Sequence, residues 1–246
     1  DPYWKFYDEA TWLNMKKYLP VSTDACILDI GGGTGKWAIK LAQTGYRVTL
    51  ADISQGMLDA AQIKIERLNL GEKITIIKTD ICDMNQFADE TFDFSIAQGD
   101  PLGCCENYHK AMKEVKRVLK NNCIFIASVD NKFGGMDHFF REKDIKGLMY
   151  FVSKGKTEWL TKNSEEQFPI TYFSPQEIKN IFETHGYEVL SIIGKPVLPV
   201  KKYPDLLKEN YDALLKLELG LNSNESMLGS ASHLQIAGRK NAKQNT

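Results

Sequence analysis

A short apolar run, Cys26-Ile27-Leu28-Asp29-Ile30, breaks off into Gly31-Gly32-Gly33-Thr34-Gly35, and an amphipathic stretch over 36–43 follows at once. Few folds accommodate that order. Glycines let a backbone turn sharply through left-handed conformations and approach a ligand closely. A strand, glycine turn and helix in succession make the opening unit of a parallel sheet that binds at its carboxyl edge. The rest of the chain repeats the alternation. Short apolar or β-branched runs predict strands over 47–50, 74–77, 92–97, 123–129 and 187–193. Between them, Leu58, Ala61, Ile65 and Leu68 step by three and four, and Tyr108, Ala111, Met112, Val115, Val118 and Leu119 share one face of a helix over 106–120. Ser174-Pro175-Gln176-Glu177 is a capping box that opens a helix with Ile178, Ile181 and Phe182 inward. A helix over 204–219 and a closing strand over 234–237 complete the pattern. The fold class is α/β, a mostly parallel sheet with helices on both faces.

Regularity lapses over 130–172, where Phe133, His138, Phe139, Phe140, Tyr150, Phe151, Trp159, Phe168 and Tyr172 crowd together. This segment reads as an insertion covering a substrate, with Gly134-Gly135, Gly147 and Gly155 as hinges. Residues 1–20, rich in Tyr3, Trp4, Phe6, Tyr7 and Trp12, read as an aromatic helix that caps a cleft or packs on the sheet. Residues 240–246 read as a disordered tail. Without repeats or a low-complexity linker, 1–246 is expected to be one domain.

The formal net charge of −1 gives no global attraction to nucleic acid or anionic membrane. No apolar run approaches the roughly 20 residues that span a bilayer. Five cysteines without Cys-x-x-Cys spacing argue against a disulfide scaffold and against a metal site. A reduced, cytoplasmic setting is expected. The oligomeric state, monomer or homodimer, and residues preceding Asp1 stay open.

The glycine loop selects among ligands by its spacing. A Walker loop would need a glycine at Ile30 and a hydroxyl at Trp37. A dinucleotide fingerprint counted from Gly31 and Gly33 meets Lys36 where its third glycine belongs. Asp52, about 20 residues beyond the loop, suits the two hydroxyls of an adenosine ribose. Asp80, after the third strand, lies at the same edge.

The order Ile-Leu-Asp-Ile-Gly-Gly-Gly-Thr-Gly, then Ala51-Asp52-Ile53-Ser54, Thr79-Asp80-Ile81 and Phe92-Asp93-Phe94, resembles class I S-adenosylmethionine-dependent methyltransferases over residues 24–130. The resemblance implies a Rossmann-like seven-stranded sheet with an antiparallel last strand, and S-adenosylmethionine as cofactor. It implies that Asp29 and the Gly31, Gly32 and Gly33 loop serve the methionine part, that Asp52 holds the ribose, and that Ile53 and Met57 flank the adenine. Asp80 and Ile81 would bind the adenine edge, while Ala97, Gln98 and Gly99 line the site. Apart from the resemblance, Tyr7 is the N-terminal aromatic expected to touch the cofactor if that helix caps the cleft.

Displacement at a sulfonium needs positioning and exclusion of water, with a general base only for a protonated nucleophile. His138, in the aromatic insertion, is the leading candidate base and His109 the second. Trp4, Phe133, Trp159 and Tyr172 are candidate walls for a small acceptor. Amino-methylating enzymes share a [D/N]-P-P-aromatic stretch, and Asp100-Pro101-Leu102-Gly103 departs from it after two residues. A small-molecule acceptor is therefore expected, and nucleic acid is not. A nicotinamide-dependent oxidoreductase and a non-catalytic binding module of the same fold are the competing readings.

Overall fold

A computed structural model describes residues 1–158 and 167–242. In chain order its elements are α1 (Pro2–Lys16), β1 (Cys26–Ile30), α2 (Lys36–Gln43), β2 (Arg47–Asp52), α3 (Gln55–Arg67), β3 (Ile74–Lys78), β4 (Phe92–Ala97), α4 (Pro101–Cys104), α5 (Tyr108–Val118), β5 (Leu119–Asp130), α6 (Lys132–Arg141), α7 (Ile145–Lys154), β6 (Lys156–Glu158), β7 (Pro169–Thr171), α8 (Pro175–Thr184), β8 (Tyr187–Lys195), α9 (Pro204–Glu209), α10 (Tyr211–Leu221), α11 (Glu225–Leu228) and β9 (His233–Lys240). Seven strands form one sheet in the order β3-β2-β1-β4-β5-β9-β8. The first five pair in parallel, and the last strands run antiparallel.

The chain divides into two compact units. Among the described residues, one holds 19–128, 181–190 and 237–242. Strand β1 runs through its centre with Ile27, Leu28 and Ile30 buried, as a strand flanked on both sides in a parallel sheet requires. Phe125 of β5 stacks on Phe182 of α8, centroids 5.5 Å apart, and Tyr187 of β8 tilts against both. Gly238 of β9 is a glycine because a Cβ there would lie 2.6 Å from the Phe182 ring.

The other unit holds, among the described residues, 1–18, 129–158, 167–180 and 191–236. Asp1 caps α1 by accepting from the Tyr3 amide, and Tyr3, Phe6 and Ala10 point inward against Val200, Leu207 of α9 and Leu215 of α10. Helix α1 thus packs on α9 and α10. A second cluster joins Phe139 of α6 and Phe151 of α7 to Ile170 of β7 and Tyr172.

Several sequence expectations change here. Residues 132–154 are two regular helices, not an irregular stretch. Their glycines, read as hinges, have packing or capping reasons. A Cβ on Gly134 would meet the Ala231 carbonyl at 2.8 Å, and one on Gly135 would meet the Phe151 ring at 2.8 Å. Gly155 ends α7 in the left-handed region at φ 65°. Strand β9 completes the seven-stranded sheet as the expected antiparallel last strand, and its place is between β5 and β8, in keeping with its nearly continuous burial. The helix expected over 204–219 breaks at Asn210, whose φ is −125°. Lys240, expected to open a tail, belongs to β9, buried with its ammonium donating to the Leu119 carbonyl at 2.5 Å; residues 243–246 lie outside the described residues.

Candidate active site

The glycine loop is tied down by β2. Gly31 and Gly32 both donate to the Ala51 carbonyl, at 2.8 and 3.2 Å, and the Gly33 amide donates to Asp52 Oδ2 at 2.8 Å. Gly31, Gly33 and Gly35 all sit in the left-handed region. The three central glycines have different reasons. A Cβ on Gly31 would lie 2.4 Å from the Pro101 ring of α4, and one on Gly32 would strike Leu50 and Asp29. A Cβ on Gly33 would meet nothing within 4 Å.

Asp52 is mostly buried, and its Oδ1 accepts from the Ser54 amide at 2.8 Å. Its main-chain carbonyl accepts from Thr79 at 3.0 Å, which brings the turn after β3 alongside. In that turn Asp80 accepts from the Cys82 amide at 2.8 Å, and Ile81 is buried. Ile53 and Met57, beside Asp52, stand 63% and 48% exposed, which leaves apolar surface next to a carboxylate. At the end of β4, Ala97 and Gln98 are buried. Gly99 (φ 89°) and Asp100 (φ 66°) then turn left-handed in succession. Asp100 caps α4 through Gly103, so Pro101 is pressed against Gly31.

Asp29 is the penultimate residue of β1. It is fully buried beneath the loop, and its Oδ2 accepts from the Ala38 amide of α2 at 2.9 Å. It ties the start of α2 to the end of β1. Burial pushes its carboxyl up to about 7, with the nearby Asp52 charge adding to the shift and the Ala38 amide opposing it. The folded chain therefore binds this proton more tightly than the unfolded chain does. Its contribution to stability is full below about pH 4 and drains away as pH rises to about 7, by a few kcal/mol at most. Asp29→Asn, which keeps the acceptor for Ala38, should remove that slope from the pH dependence of chemical denaturation. An identical slope in the variant would contradict the assignment.

A cradle for an adenosyl group needs a bare backbone turn, a carboxylate for the ribose and apolar surface for the base. The open space at Gly33, the Asp52 carboxylate and exposed Ile53 and Met57 supply all three, so the residues present fit S-adenosylmethionine. The fold agrees. A solved S-adenosylmethionine-dependent methyltransferase of Methanosarcina mazei superposes with a TM-score of 0.68 at 19% identity, covering 94% of this chain and 98% of that one. A family model described as a methyltransferase domain matches residues 27–122. The Bacillus subtilis (strain 168) protein YqeM, named simply as a methyltransferase, is 34% identical over 189 residues, which span 74% of this chain and 71% of that protein. The chain belongs to the class I S-adenosylmethionine-dependent methyltransferases. A tRNA 5-carboxymethoxyuridine methyltransferase of Escherichia coli (strain K12) is also similar to it, 22% identical over 220 residues, or 87% of this chain and 79% of that protein.

The methyltransferase carries a second constellation in the unit that contains α1, α6 and α7. A hollow of about 190 Å³ is walled by Asp130, His138, Arg141, Tyr172 and His233. Asp130, the last residue of β5, is 7% exposed. It accepts a hydrogen bond from the Tyr172 hydroxyl and lies 3.2 Å from His233 Nε2. Burial pushes the Asp130 carboxyl up to about 6, against the pull of Tyr172. Burial, and then the charge of Lys195, push the His233 imidazole down to about 4. The Tyr7 ring stands edge-on to His233 at 5.3 Å, with the buried Lys195 ammonium 5.0 Å from its centroid.

Of the expected acceptor residues, His138 and Tyr172 meet in this hollow, with Asp130 and His233, which the sequence reading passed over, beside them. Tyr7, expected over the cofactor, packs with His233 in this unit. Trp4 is half exposed, edge-on to Tyr3 and Tyr7, and Phe133 is 46% exposed on α6. His109, the second candidate base, lies elsewhere. It sits exposed on α5, its ring stacked on His185 with nitrogens 3.3 Å apart, which makes a surface histidine pair. Trp159 lies outside the described residues. Among the described residues no group of three or more His, Cys, Asp or Glu is arranged to hold a metal ion, and no helix is long and apolar enough to cross a membrane.

Proposed function

We propose that the methyltransferase acts on a small-molecule acceptor. In this reading, the loops after β1 to β4 hold the cofactor and the α6–α7 unit holds the acceptor. Asp52 takes the ribose hydroxyls, Ile53 and Met57 flank the adenine, and the turn at Asp80 and Ile81 meets its edge. The Gly31–Gly33 backbone, with Ala97, Gln98 and Gly99, borders the methionine part. The bound cofactor supplies an activated methyl group on a sulfonium, so the chain's own work is to orient an acceptor and exclude water. Aromatic Tyr7, Phe133 and Tyr172 suit that task.

The observation that carries the acceptor reading is the hollow at Asp130. Its modest volume and convergent polar side chains favour a small polar ligand over a polymer. The near-neutral net charge supports the same side. The test is transfer of a labelled methyl group from S-adenosylmethionine, offered in parallel to a small-metabolite extract and to bulk tRNA. Label entering the small-molecule fraction alone is the expected result, and label entering tRNA alone would overturn this choice.

A further inference from the structure

The most organised polar cluster outside the cofactor cradle surrounds Asp130. Three elements far apart in the chain deliver it: the end of β5, the residue after β7 and the first residue of β9. Resting on the acceptor reading above, we propose that Asp130, positioned by Tyr172 and His233, is the base that takes a proton from the acceptor. The acceptor is then a nucleophile that arrives protonated, such as a hydroxyl, an enol or an ammonium group.

The arrangement favours Asp130 over its neighbours. His138 is partly buried on α6, with the Arg141 side chain one turn further on the same helix. His233 lies under the field of Lys195 and gains little by adding a charge of its own. Asp130 lines the hollow, while Tyr172 and His233 hold its orientation. Arg141 faces the same hollow, but its charge is shared with Asp137 at 3.0 Å. A mostly buried carboxylate is costly to keep, and such groups gather where a proton must be moved near neutral pH.

For a hydroxyl acceptor the step balances as follows. The O–H proton passes to the Asp130 carboxylate, and the oxygen's electron pair forms the bond to the methyl carbon. The old C–S bond breaks with its pair left on sulfur. The carboxylic acid then returns the proton to water.

The test uses the full chain with [methyl-¹³C]S-adenosylmethionine. The acceptors are a small-metabolite extract and a panel of one phenol, one primary amine, one tertiary amine and one thioether. NMR identifies the atom that gains the methyl group. The labelled atom should be one that lost a proton, and the wild-type rate should fall as pH drops through about 6. At neutral pH Asp130→Asn should lose about 10²- to 10⁴-fold in rate, with S-adenosylhomocysteine affinity unchanged. Tyr172→Phe, which removes one positioning hydrogen bond, should shift the pH midpoint upward. The same shift should appear without donor or acceptor in the ¹³Cγ titration of Asp130. Methylation of sulfur or a tertiary amine overturns the proposal, as does an Asp130→Asn rate and pH profile matching the wild type. If Asp130→Asn fails to fold, Tyr172→Phe decides, and an unmoved profile and titration overturn it. Transfer to no small molecule, in a wild type that binds S-adenosylhomocysteine, refutes the acceptor reading instead, and the proposal falls with it.

Discussion

Asp52→Ala should weaken S-adenosylhomocysteine binding by tenfold at the least, and on the order of a hundredfold or more if both ribose hydrogen bonds are lost. Each carboxylate oxygen already accepts one backbone amide, from Gly33 or Ser54, and each keeps a further lone pair. A charge-assisted hydrogen bond contributes about 1.5–3 kcal/mol. The variant also releases the Gly33 amide, so part of the loss comes through the loop. Asp52→Asn separates the two effects, because its amide oxygen still accepts from Gly33 while the charge is gone. Isothermal calorimetry on all three proteins reads the result. Unchanged affinity in a folded Asp52→Ala variant would make Asp52 a loop anchor and nothing more.

The second large effect contrasts two adjacent glycines. Gly32→Ala would place a methyl group 2.4 Å from Leu50 Cδ1 and 2.7 Å from Asp29 Oδ2. Both neighbours are wholly buried, so neither has room to withdraw. Overpacking of this kind costs about 1–3 kcal/mol, a fall of roughly 2–10 °C in Tm for a chain of this size. Gly33→Ala meets no atom, and its fold penalty is only the left-handed backbone, about 1–2 kcal/mol. Its methyl group would instead occupy the space assigned to the cofactor. Gly32→Ala is expected to lose chiefly stability, and Gly33→Ala to lose affinity out of proportion to stability. Thermal melts paired with S-adenosylhomocysteine titrations check both. Equal affinity losses at equal melting temperatures would contradict the cradle as drawn.

The features legible in the sequence are local ones. The strand, glycine turn and helix over β1 and α2 are encoded within a few residues. So is the reciprocal box in which Ser174 accepts from the Glu177 amide at 3.3 Å and Glu177 accepts from the Ser174 amide at 2.7 Å. Helices α6 and α7 were hidden by their glycines, which lower helix propensity. Tertiary packing overrides that preference, since Gly134 and Gly135 let α6 approach Ser232 and Tyr172 closely. The inward place of β9 is a matter of long-range order, which no local pattern carries. The Asp130–His233 pair was missed for the same reason, although a signal existed. An acidic residue ending a parallel strand and a histidine starting an antiparallel one come to the same edge of a sheet when the two strands are neighbours. Only the order β5-β9 makes them so. The burial of Asp29 was equally out of reach, because a motif position does not tell how deep beneath a loop its side chain lies.

The most direct measurement is calorimetric titration of the full chain with S-adenosylhomocysteine and, separately, with NADH. Saturable heat with S-adenosylhomocysteine, weakened in Asp52→Ala, and none with NADH is the predicted result. Micromolar NADH binding with no S-adenosylhomocysteine heat would contradict the account.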